Sequence, residues 1–329
     1  MIGERVWLIV GAGVVILTVG AVYLRLGDRA LAALPTVWYH RTIPWLFIGP
    51  GALIVGLTLV FPGILTVVLS FFDAKSTSFV GLDNYASALS DPVTLIALRN
   101  TALWVALLPT LAALVGLVIA VLVDRVRYGG LVKLALFLPI AVSAVAAGVI
   151  WTFMYDYQPP VAAQTGTVNA LLTVLTQTDP IAWIIDEATN NYALIAATLW
   201  TQAGFAMVIF SAALRSVPDD LLEAARLDGA SEWQAFRYIT LPILVPTIVV
   251  VTTTVTVIAL KAFDIIYVMT NGAYGTDVLS TVMYRALFTA RDNGSAGAIA
   301  TMLMIAVLPI MIYNLRQFRR QGRQVGSSW

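Results

Sequence analysis

The side chains able to do chemistry are few, and most of them sit inside long apolar stretches. Between Tyr192 and Leu214 lie Thr198, Thr201, Gln202 and Phe205. Thr198 and Gln202 are four apart, as are Thr201 and Phe205, so on a helix each pair shares a face. Uncharged hydrogen-bonding groups beside an aromatic ring suit a neutral, hydroxyl-rich ligand. Gln202 stands out, because a buried amide needs partners, whereas a threonine hydroxyl also satisfies its own helix. Thr252, Thr253, Thr254 and Thr256 wrap around a second stretch, so only some of them can face one path; Thr256 joins the candidates, and Ser143, after Leu138-Pro139, is another. Lys261 and Asp264, three apart near the end of that second stretch, read as an interfacial salt bridge with a snorkelling lysine.

Other chemistries find little to work with. The chain has no cysteine, which excludes disulfides, thiolate catalysis and cysteine-based metal sites. The single histidine, His40, lies beside Arg41 in a basic linker without clustered carboxylates, so no metal site is expected. A net charge of +1 offers no basic field for nucleic acid. A membrane-embedded enzyme would need metal ligands or a nucleophile–base pair within the apolar stretches, and neither is there.

The elements that position these residues follow from composition. Of 329 residues, 60% are hydrophobic and 11% charged, about half the usual charged share. Seven stretches approach or exceed the roughly 20 apolar residues that cross a bilayer: Trp7–Leu24, Pro44–Phe72, Thr101–Val123, Leu134–Tyr155, Tyr192–Leu214, Leu241–Leu260 and Ala296–Leu315. None contains Asp, Glu, Lys or Arg, and each is expected to be a helix because the bilayer leaves backbone groups no other partner. The first reads as a retained helix, since Tyr23-Leu24-Arg25 follows it in place of a small-residue cleavage site. Thirteen of the 19 basic residues fall in alternate loops and the tail, including Arg125, Arg127, Lys133, Arg215, Arg226, Arg237 and Arg316. This bias predicts a cytoplasmic C-terminus and a cytoplasmic 215–240 loop. The stretch from Gln158 to Asn191 has room for one amphipathic helix around Val168–Leu175.

One loop has more local design than the rest. Ser216 to Pro242 reads SVPDDLLEAARLDGASEWQAFRYITLP. Pro218 suits a helix start, with Asp219 and Asp220 at the positive end of the helix dipole. Leu221, Leu222, Ala225 and Leu227 supply apolar positions, and Gly229 is placed to end the helix. Ser231 and Gln234 have capping-box spacing for a second helix, on which Trp233 and Phe236 share a face. The small Ala224 and Ala225 permit close approach of another surface, and Glu223 offers a charge.

The run Glu223-Ala224-Ala225, Asp228-Gly229-Ala230, Phe236, Ile239 and Leu241-Pro242 closely resembles the EAA loop of ABC importer membrane subunits. The resemblance extends from about Pro44 to Arg320. Phe79 to Tyr85, Asn100-Thr101, Phe137-Leu138-Pro139, Phe263-Asp264, Thr270-Asn271-Gly272 and Gly297 to Ala300 are similar to landmarks of the carbohydrate-type permeases. Overall the chain is most similar to the larger permease of maltose and α-glucoside importers, although Gly272-Ala273-Tyr274 replaces the usual Gly-Gly-Pro. The resemblance implies an all-α polytopic membrane protein, a six-helix type I importer core with one extra N-terminal transmembrane helix. Residues 1–43 would be that helix and its linker, 44–95 the first core helix and outer segment, 96–316 the core with its EAA loop at 215–240, and 317–329 the tail.

It further implies that Glu223, Ala224, Ala225, Asp228 and Gly229 couple the chain to a separate ATP-binding-cassette ATPase dimer, which would hold the ATP and Mg. The chain itself lacks the phosphate-binding glycine loop and would carry no cofactor. A second related permease subunit, an extracytoplasmic solute-binding protein and a bacterial inner membrane complete the expected setting. By their distance before the loop, Thr198 to Phe205 resemble the sugar-contacting part of the maltose permease. The lack of positive charge in the spans favours a neutral sugar over a phosphate ester. The competing reading, an ion-coupled secondary transporter, would call for broken helices, a repeat and an intramembrane carboxylate; it leaves the EAA-like loop unexplained.

Overall fold

The long apolar stretches do form helices, and one of them is not straight. In the computed structural model, which describes residues 22, 23, 25, 27–29, 35–124 and 126–326, the described residues form two compact units that divide between Thr66 and Val67. The first apolar stretch, Trp7–Leu24, lies almost wholly outside the described residues. The first unit is dominated by α1 (Thr36–Val55), which passes through a π-helical turn at Gly56–Val60; α2 (Phe61–Leu69) continues it, and the apolar span runs Trp38–Leu69.

The second unit holds the remaining elements. A short helix, α3 (Asp83–Ser90), follows a turn in which the Asn84 amide donates to the Ser70 and Phe72 carbonyls at 2.8 and 2.7 Å. Three long helices make the centre: α4 (Pro92–Asp124), α8 (Asn190–Leu214) and α11 (Leu241–Leu260). Between α4 and α8 come α5 (Gly129–Phe137), α6 (Ala144–Met154) and α7 (Thr167–Thr176). Two loop helices precede α11, namely α9 (Asp219–Leu227) and α10 (Glu232–Ala235). After α11 come α12 (Asp264–Met269), α13 (Leu279–Tyr284) and α14 (Asn293–Gly326).

Among the described residues, five helices are long and apolar enough to span a membrane, and α5 with α6 makes a sixth if counted as one broken span. The chain is therefore an all-helical, multi-spanning membrane protein. The expected straight helix over Leu134–Tyr155 is corrected: its two halves meet at 104°. The cause is local. Pro139 has no N–H to donate back along the helix, the chain tightens into a 3₁₀ turn at Leu138–Ala141, and Val142 leaves it extended at ψ 130°. Ser143 then restarts the helix, its Oγ accepting from the Ala146 N–H at 3.2 Å.

The core lies where α4, α8, α11 and α12 meet, around Trp104, Leu108, Leu194, Met207, Phe210, Val251, Val255 and Ile266. Lipid tails are as apolar as these side chains, so close packing and hydrogen bonds, more than hydrophobic transfer, must hold the helices together. Gly116 meets that need: a methyl group there would come 2.4 Å from the Ala206 side chain of α8. Aromatic side chains also pack against this core. Tyr155 is buried, donates to the Ala193 carbonyl at 3.2 Å, and makes tilted ring contacts with Trp151 and Trp183 at 5.1 and 6.1 Å.

Candidate functional site

The two ends of the bundle are defined by polar contacts. At one end Asp124, the last residue of α4, accepts from Lys133 of α5 at 2.9 Å and lies 4.0 Å from Arg215, just past α8. That end carries the Ser216–Leu241 loop. At the other end, Asn100 of α4 donates to the carbonyls of Gly275 and Asp277 at 2.7 and 2.8 Å, and Asn190 of α8 donates to that of Tyr274 at 2.6 Å.

The loop folds as its residues direct. Pro218, at φ −62° and ψ 127°, precedes α9, and Asp219 and Asp220 occupy its first turn. Gly229 takes φ +83°, a left-handed value that favours glycine, and so reverses the chain. Ser231 and Gln234 form the capping box of α10, with bonds of 2.7 and 3.3 Å, and Trp233 stacks on Phe236 at 5.8 Å. From Glu232 the helix does not stop: α10, a π-helical turn at Phe236–Thr240 and α11 form one apolar rod over Glu232–Leu260.

The faces of α9 separate cleanly. Leu222 lines a cavity of about 520 Å³ together with Asp124, Leu214, Val217, Phe236 and Thr240. Asp220, Glu223, Ala224 and Leu227, spaced as one helical face, are exposed, and Leu227 is 89% exposed. Leu227 therefore does not share the inward face with Leu222, as an apolar position would suggest. Ala225 is half-buried, and Asp228 and Gly229 are exposed at the turn. Sequence reasoning missed the Arg226–Glu232 ion pair, 3.0 Å, which bridges the two loop helices across that turn. Six residues apart across a reversal, it falls outside any helical spacing rule.

The candidate solute-path residues lie mainly on α8. Thr198 donates to the Leu194 carbonyl at 3.1 Å and Thr201 to the Thr198 carbonyl at 2.9 Å. Gln202 donates from Nε2 to Thr201 Oγ1 at 3.1 Å. With their protons spent on the helix, both hydroxyls still offer lone pairs to an incoming donor. Phe205 is half-buried beside the core. Next to it, a methyl group on Gly204 would come 2.2 Å from the Leu136 carbonyl, so α8 abuts the end of α5 just before the Pro139 turn. Thr256 donates to the Thr252 carbonyl at 2.7 Å, and Ser143 serves as the cap described above. Among the described residues, no hydrogen bond joins Ser143 or Thr256 to the Thr198–Phe205 set. Lys261 and Asp264 do not form the expected pair either, because a break at Ala262–Phe263 puts them on different helices. No group of three or more His, Asp or Glu suited to a metal ion occurs among the described residues.

This architecture has counterparts. The osmoprotective compounds uptake permease protein GgtC of Synechocystis sp. is 45% identical over 278 residues, covering 84% of this chain and 99% of that protein. The alpha-glucoside transport system permease protein AglF of Rhizobium meliloti is 43% identical over 280 residues, 85% of this chain and 83% of that one. A bacterial ABC transporter that imports the acidic polysaccharide alginate includes a chain of the same fold: TM-score 0.73, 24% identity, covering 87% of this chain and 99% of that chain. Residues 112–321 match the binding-protein-dependent transport system inner membrane component family, and this chain, a transport subunit rather than an enzyme, belongs to that family.

Proposed function

We propose that this chain is the permease subunit of an ATP-binding-cassette importer for a neutral di- or oligosaccharide of the α-glucoside type. It works by alternating access together with a second permease, an ATPase dimer and an extracytoplasmic solute-binding protein. The bias of Lys and Arg toward the loop end supports an orientation with the Ser216–Leu241 loop and the C-terminus in the cytoplasm.

The observation that carries this reading is the geometry of the loop. A helix whose face of Glu223, Ala224 and Leu227 is exposed is joined through Gly229 to a rod that runs 29 residues, Glu232–Leu260, into the bundle. A partner that pushes on α9 moves the rod, and α11 packs on α8, where Thr198, Thr201, Gln202 and Phe205 lie. In this mechanism ATP binding closes the ATPase dimer, the coupling residues Glu223 to Gly229 transmit the closure, and hydrolysis resets the pore inward. Uncharged acceptors beside Phe205 support a neutral sugar, and the name of the relative AglF supports the α-glucoside class.

Co-purification in detergent followed by a sugar screen tests the reading. We expect an ATPase to co-elute, with hydrolysis stimulated by a binding protein loaded with an α-glucoside. Stimulation by no glucoside, but by a charged solute, would overturn the substrate class. Within the complex, Glu223→Ala should lower transport while leaving membrane insertion intact, and unchanged uptake would count against the coupling role.

A further inference from the structure

Lys261 takes no part in the coupling loop or the solute path, and its setting is unusual. It caps the C-terminal end of α11, at the last turn of the apolar rod, and is exposed. No carboxylate pairs with it among the described residues. It sits at the rim of a groove of about 420 Å³ between α11, α13 and α14, walled by Leu260, Phe263, Met283, Tyr284, Leu303 and Val307. Ser280 also borders the groove, but its hydroxyl donates to the Ala262 carbonyl. The lining thus offers one charge and a long apolar wall.

The surroundings fix the depth of this groove. Phe263, Tyr267, Tyr284 and Phe288 form a continuous run of ring contacts, with centroids 4.8 to 5.3 Å apart. Tyr267 and Phe288 are exposed. Aromatic residues and a lysine at the end of a membrane-spanning helix belong at the level of lipid headgroups. Below them, Leu303, Met304 and Val307 follow α14 into the bilayer. A hydroxyl-rich solute would lose its water against such walls without regaining hydrogen bonds. An amphiphile with one anionic head and a hydrocarbon tail satisfies both the charge and the wall.

We propose that this groove holds an acyl chain of an anionic phospholipid, with the Lys261 ammonium on the headgroup phosphate. None of the candidate solute-path residues lines this groove, and the proposal does not depend on the identity of the sugar. The test is native mass spectrometry of the full complex, purified from nanodiscs containing equal phosphatidylcholine and phosphatidylglycerol. The complex should retain phosphatidylglycerol in preference. Lys261→Gln should reduce that retention by about fivefold, the scale of one lysine near a membrane surface, and Lys261→Arg should keep it. Lys75→Gln, which removes the same charge from a loop elsewhere in this unit, should leave it unchanged. Equal retention by wild type and Lys261→Gln would overturn the proposal. So would equal loss in Lys75→Gln, or cross-linking of position 261 to the second permease subunit in place of lipid.

Discussion

The two ends of the bundle are built on opposite plans. At the loop end, α9 shows solvent an entire face, and the polar contacts around it, Arg226–Glu232 and Asp124–Arg215, are themselves largely exposed. At the other end the turn from Thr270 to Asp277 is pinned from beneath. Asn100 and Asn190 are fully buried and hold its carbonyls. Asp277 receives both terminal nitrogens of Arg285, at 2.7 and 2.6 Å, plus the Thr281 hydroxyl at 2.8 Å. Asn271, Gly272, Tyr274 and Gly275 all take left-handed φ, a shape that only such a network holds. The contrast fits the division of labour proposed above: the surface proposed to move with a partner is bound lightly, and the turn at the other end is bound by buried amides.

The sharpest break of this comparison comes from Gly229→Pro. Proline fixes φ near about −65°, against +83° at this turn, so α9 loses its place on the rod. Transport should fall to background in proteoliposomes while membrane yield stays normal. Asn100→Ala should do the reverse. It strands two buried carbonyls, which costs about 2–4 kcal/mol, and it should lower the melting temperature in detergent by several degrees. If the two variants exchanged phenotypes, the division of labour would be wrong. Arg226→Ala sharpens the picture, since an exposed ion pair such as Arg226–Glu232 contributes about 0.2–1 kcal/mol; stability should hardly move, and added salt should not change the difference by more.

The smallest effect concerns Asp156 in the loop before α7. Hydrogen bonds from Thr165 and then Gln158 favour its charged form and hold its carboxyl below the ordinary 3.8. A lowered value means the ionised form stabilises the folded loop. That contribution is complete above the ordinary value and fades as pH falls through the lowered one. Thr165→Val removes the larger of these bonds and should shrink the difference, measured as loop proteolysis between neutral and strongly acidic pH.

Much of this was legible in the residues. Charge-free stretches marked the spans, Ser231 and Gln234 the capping box, and Gly229 the turn, because each rests on a rule that acts within one helical turn. Hydropathy reports length but not direction, so the 104° bend was hidden until Pro139 and the Ser143 cap were seen together. Lys261 and Asp264 have helical spacing, but a helix break lies between them. The Asn100 anchor joins residues 175 apart, a distance over which no local pattern carries information.

The central claim, that the exposed face of α9 meets the ATPase, has a direct test. The chain contains no cysteine, so Leu227→Cys introduces a unique thiol on that face. A thiol-attached photocross-linker at position 227 should capture the ATPase subunit in an active complex, and one at Leu222→Cys, on the cavity side, should not. Failure of position 227 to cross-link while transport persists, or equal capture from both positions, would contradict the account.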